Sequence, residues 1–174
     1  MAIAMQMRKP AIPNQIFGMI IFIFTELMFF AALVSALLVI QGGADVWVPP
    51  ENVKLPLMQT AFNTFVLFLS GIFIFWSGRK FKAGEISAAK NLCLRAILLG
   101  TFFVLFQGFE WIQLINYGMT MSSSIFGALF FLLLGTHALH AISGVMALIW
   151  TYSSMSSATL KKESFTAVQM FWYM

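Results

Sequence analysis

Four side chains carry ionisable chemistry into long apolar runs of this sequence: Glu26, Glu110, His137 and His140. Glu26 sits near the middle of "FGMIIFIFTELMFFAALVSALLVI", residues 17–40. Burying an ionisable group among hydrocarbon costs several kcal/mol unless it is paired or neutralised. Such surroundings disfavour the anion, so Glu26 is expected to be mostly protonated at pH 7 and to donate a hydrogen bond. Its own stripe is bulky: Met19, Phe22, Phe29, Phe30 and Leu33. Beside it runs a seam of small residues, Gly18, Thr25, Ala32 and Ala36, where another helix could approach closely. Glu26 is therefore expected to point into a protein interface, about 14 Å along its helix and near the membrane midplane. Two roles stand open for it: a neutral acid that joins helices, or a proton- or lipid-linked site.

A second polar group lies further along. Gln107, Glu110, Gln113 and Tyr117 recur at spacings of three and four, hence on one helix face, and Asn63 falls at a similar height. A hydrogen-bonded cluster of Glu110, Asn63 and Gln113 is expected. The only two histidines, His137 and His140, lie in "GTHALHAISG". At i and i+3 they share a face with Gly144 and Ala147, small enough to pack against a helix. Their depth matches Glu26, whereas Glu110 should sit about 10 Å further outward. Two histidines and two carboxylates are candidate metal ligands, but this spread leaves too few for a closed site. A same-face pair also cannot clamp a haem from both sides. No metal or catalytic residue is therefore assigned within the chain.

The elements that position these groups follow from composition. Hydrophobic residues make up 60% of the chain and charged ones 9%, against about a quarter charged in soluble domains. No charge occurs between Lys54 and Arg79, and Glu110 is the only one between Arg95 and Lys161. Continuous apolar runs predict transmembrane helices of about 20 residues, not alternating barrel strands. The expected fold is all-α, an integral membrane bundle of five transmembrane helices over one domain. The helices are placed at about 17–40, 59–77, 92–117, 125–152 and 165–174, the fifth reading as incomplete. The run after "MAIAMQMRKPAIPNQ" is too long for a signal-peptide core.

Lys and Arg set the orientation. Arg8 and Lys9 precede the first helix, Arg79, Lys80, Lys82 and Lys90 lie between the second and third, and Lys161 and Lys162 follow the fourth. The other loops hold only Lys54. The N-terminus and the 78–91 loop are expected to be cytoplasmic, with Trp47 at the outer interface and Trp76 at the inner one. The net charge of +4 thus serves topology, and no nucleic-acid partner is implied. Cys93, the only cysteine, forbids an internal disulfide and reads as a small apolar filler. Helices unbroken at mid-membrane argue against a transporter.

The order of motifs carries a resemblance. "TELMFFAAL", "WVPP", "NTFVLFLSG", "FQGFEW", "GALFFLLLGTHALHAISG" and "ESFTAVQMFWYM" together resemble subunit III of the haem–copper oxidases, and most nearly of the cytochrome c oxidases, over residues 16–174. The resemblance implies an accessory subunit without haem or copper of its own. It would pack on subunit I, which holds those cofactors, with subunit II nearby, bind phospholipid and help sustain proton uptake. Glu26 matches the family's buried membrane acid, noted for reaction with a hydrophobic carbodiimide. Glu110, His137 and His140 match the other motif positions. Longer members have seven helices, and this chain begins at what would be their third. A bacterial-type cytoplasmic membrane is the expected location. Subunit III of a quinol oxidase, or a homologue associated with nitric oxide reductase, would read the same way. From another class, a membrane metalloenzyme using His137, His140 and Glu26 stands as the alternative.

Overall fold

A computed structural model describes residues 12–43, 57–116, 120–122, 125–157 and 159–174. Arg8, Lys9, Trp47, Lys54 and Tyr117, which entered the sequence reading, lie outside them. The described residues form five α-helices: α1 (Asn14–Gly43), α2 (Leu57–Lys82), α3 (Ile86–Asn116), α4 (Ile125–Ser156) and α5 (Lys162–Tyr173). The first four are long and apolar enough to cross a membrane. The fold is an all-α membrane bundle.

The helices overrun the apolar stretches at their basic ends. The expected 78–91 loop is largely helical: α2 continues through Arg79 and Lys80 to Lys82, and α3 starts at Ile86. Only residues 83–85 turn, with Gly84 at φ 85°, a left-handed conformation that glycine adopts without steric cost. Polar residues end a hydrocarbon run but not a helix, because Lys and Arg are good helix formers whose stems reach back along apolar surface. Lys90 shows this, its ammonium lying 5.1 Å from the centre of the Tyr152 ring.

The tightest helix pair is α2 with α3. Asn63, Ser70 and Ser77, each fully buried, recur every seven residues along α2. Asn63 Nδ2 donates to the Phe103 carbonyl at 3.3 Å, Ser70 Oγ to Ala96 at 3.0 Å and Ser77 Oγ to Ala89 at 2.8 Å. The acceptors are also seven apart, so the rungs form an antiparallel ladder at the spacing of a left-handed coiled coil. Small residues make the approach possible: Ala89, Cys93, Ala96 and Gly100 are all buried on the facing side of α3.

α5 fits into notches left by glycine. Next to the two ladder serines come Gly71, against the Tyr173 ring, and Gly78, against Phe165 and Gln169. The Trp172 indole wedges between α3 and α4, where a methyl group added at Gly100 or Gly144 would lie 2.6 or 2.9 Å from it. Phe165 also stacks on Phe81, ring centres 5.2 Å apart. α1 lies outside this core and has no buried residue. Its half-buried residues, among them Met19, Ile23, Glu26, Phe30 and Leu33, mark its inner side, whereas Gly18, Thr25 and Ala32 are exposed. Of the small-residue seam, only Ala36 lies on the inner side. α1 rests on α4 and α5, which offer it side-chain surface in place of a close backbone approach.

Gly100→Val should therefore unseat Trp172 and lower stability by about 1–3 kcal/mol, the usual range for overpacking. Ser70→Ala should cost about 0.6 kcal/mol, typical of one hydrogen bond between helices in a bilayer. Cys93 is fully buried, so its reaction with a thiol dye on heating reports unfolding. Equal transition temperatures for the two variants would contradict this ranking.

Candidate functional site

A polar contact joins α1 and α4. Glu26 Oε2 lies 2.5 Å from His140 Nδ1. The His140 side chain is 10% exposed and that of Glu26 26%. Whichever side formally carries it, one proton lies between the two atoms, since a hydrogen bond needs one. The surroundings are apolar. Phe171 on α5 packs against the imidazole with ring centres 4.5 Å apart and against Phe22 at 5.7 Å. Nearer the basic end, Ser164 Oγ donates to Gln15 Oε1 at 2.9 Å. α5 therefore packs on His140 and, through Phe22 and Gln15, on the first part of α1.

His137 does not join the bond. Its ring lies edge-on to Phe30, centres 6.2 Å apart, one turn further along α4. Both histidines line a half-open cavity of about 550 Å³ between α2, α4 and the end of α5, with Leu67, Phe68, Phe75 and Trp172 among its apolar walls. His140 thus has Glu26 on one side and this cavity on another. Among the described residues no three His, Cys, Asp or Glu side chains come close enough to hold a metal ion. Glu110 lies away from the pair, in the α2–α3 seam.

That seam holds the second polar group. Glu110 is 4% exposed and accepts from Gln107 Nε2 at 3.3 Å and from Thr60 Oγ1 at 3.5 Å. Asn63 Nδ2 also donates to Gln107 Oε1 at 3.5 Å. The cluster is Glu110, Gln107, Asn63 and Thr60. Gln113 takes no hydrogen bond in it, contrary to the sequence reading. The buried line of α3 runs through Phe103, Glu110 and Leu114. Gln107 lies nearer to that line than Gln113 does, by helical geometry. Thr60 and the ladder serines went unread in the sequence, although the heptad recurrence of Asn63, Ser70 and Ser77 was a usable signal.

The model of the family "Cytochrome c oxidase subunit III" matches residues 9–174. The chain belongs to the cytochrome c oxidase subunit III family. A probable cytochrome c oxidase subunit 3 of Nocardia farcinica is 33% identical over 139 residues, covering 79% of this chain and 68% of the relative. One from Mycobacterium leprae is 30% identical over 165 residues, covering 92% and 81%. The cytochrome c oxidase subunit 3 of Arabidopsis thaliana is 32% identical over 167 residues, covering 90% and 62%. Within this subunit III chain, the motif positions Glu26 and His140 are in direct contact, and His137 and Glu110 are separate from them.

A hydrophobic carbodiimide should label this protein at Glu26, and Glu26→Gln should abolish that label while keeping α1 in place. His140→Leu removes the hydrogen-bond partner of Glu26 and frees its carboxyl to react, so labelling should become faster. Peptide mapping by mass spectrometry reads both results. Label persisting in Glu26→Gln would show that the reactive acid lies elsewhere.

Proposed function

We propose that this chain is the accessory, non-redox subunit III of a proton-pumping haem–copper terminal oxidase in aerobic respiration. It packs on subunit I, which carries the haem and copper, with subunit II in the same assembly. It binds membrane phospholipid and supports proton uptake by its partner. As a family member it is part of an oxidoreductase complex, and the single observation that carries the reading is the family match over residues 9–174. Glu26 and His140 are its best-placed residues for handling a proton. They share one proton at 2.5 Å inside the membrane span, and His140 also faces the apolar cavity. That cavity offers a lipid chain an apolar wall.

Membership of a bacterial-type cytoplasmic membrane, with the N-terminus inside, is supported by charge. Among the described residues Arg79, Lys80, Lys82, Lys90, Lys161 and Lys162 lie at the same end of the bundle, and positive residues are retained on the cytoplasmic side. Among the described residues, His137 stands apart from the Glu26–His140 contact, so the three side chains of the metalloenzyme alternative are not gathered around one point.

Removing the chain should leave the oxidase's haem spectrum nearly intact. Turnover should begin near its normal rate and then decay as proton delivery falters. Loss of the haem signal, or stoichiometric metal on the isolated chain, would overturn the reading. Single cysteines in a Cys93→Ser background test orientation. An impermeant thiol reagent on intact cells should label position 121 and spare position 84, and the reverse pattern would invert the topology.

A further inference from the structure

A second cavity lies at the basic end of the bundle, away from Glu26 and His140. It forms where the end of α2, the turn into α3, the end of α4 and the start of α5 meet, and it is half open, with a volume of about 320 Å³. Phe81, Ile86, Met155 and Leu160 give it an apolar floor, and Lys82 and Lys162 stand at its edge. Phe81 and Met155 are buried, whereas both lysines are exposed.

No carboxylate is among the lining residues. Lys162 Nζ donates to the Lys82 carbonyl at 3.4 Å, which holds that ammonium beside the opening with further N–H donors to spare. Lys82 makes no ion pair among the described residues. A neighbouring depression of about 380 Å³ shows the contrast. It is lined by Trp76, Arg79, Lys80, Ala83 and Glu85, and there Glu85 already holds Lys80 at 2.7 Å.

We propose that the cavity between Lys82 and Lys162 seats the headgroup of one anionic phospholipid. The cavity lies at the ends of the membrane-spanning helices, where hydrocarbon gives way to headgroups. A phosphate there meets two cations that lack a counter-charge, while the glycerol and first methylenes of the same molecule cover the apolar floor. A soluble phosphate would meet only the lysines and leave that floor wet. A zwitterionic lipid would cover the floor but bring its own ammonium towards the two lysines. The proposal rests on the reading of the chain as a bilayer-embedded, lipid-binding subunit, and it names which lipid and where.

Native mass spectrometry tests it on the membrane-extracted protein, with any subunits that stay attached, taken from bilayers of equal phosphatidylglycerol and phosphatidylcholine. One phosphatidylglycerol should be retained in preference to phosphatidylcholine, by roughly tenfold or more for two near-surface lysines. The double variant Lys82→Gln, Lys162→Gln should erase that preference, and Arg79→Gln, Lys80→Gln should keep it. Low Cys93 thiol reactivity certifies that each variant is folded. Equal retention of both lipids, or equal loss in both double variants, would overturn the proposal. Displacement of the lipid by millimolar inorganic phosphate would reassign the site to a soluble anion and overturn it likewise. The haem-retention and turnover experiment reads the subunit III assignment separately, so either can fail alone.

Discussion

The antiparallel ladder between α2 and α3 is the contact on which the rest of the bundle depends. A hydrogen bond from a buried side chain to a main-chain carbonyl of the neighbouring helix requires the two backbones to come close. In a bilayer no hydrophobic force drives helices together, so close packing and interhelical hydrogen bonds must hold them. Three such bonds at heptad spacing set both the distance and the register of the pair. A one-residue slip would turn all three donors off the seam at once. Glu110 is held in the same seam, by Gln107 and Thr60, as an extension of the ladder.

Everything else leans on that pair. Because Ser70 and Ser77 face α3, the glycines that follow them face α5, about 100° further round the helix. α5 then brings its aromatic residues into notches on three helices. Once Trp172 is seated between Gly100 and Gly144, Phe171 comes to lie against His140, and Ser164 holds Gln15 at the start of α1. The Glu26–His140 contact is thus the last consequence of a chain of packing decisions. It joins a helix with no buried residue to the preassembled core.

This arrangement suits an accessory subunit. Among the described residues, Glu26 pairs with His140 and Glu110 with Gln107 and Thr60, at two separate places in the span.

Much of this was legible in the sequence. Charge-free runs show the spans, because hydrocarbon tolerates few charges whatever the fold. The motif order around Glu26, Glu110 and the two histidines identified the family. Matching depths placed both histidines at the level of Glu26, since depth depends only on distance along each helix. The rest required neighbours. Which histidine meets Glu26 depends on how α4 is rotated against α1, and a nearly uniform apolar helix has too weak a pattern to fix its rotation. Gln107 rather than Gln113 joins Glu110 because α2 covers one side of α3. The basic end is helical where a loop was expected, because a single glycine at positive φ turns the chain in three residues. Sequence alone determined what must be buried and how deep; only the tertiary structure decided what faces what, because rotation about a helix axis is set by the shapes of its neighbours.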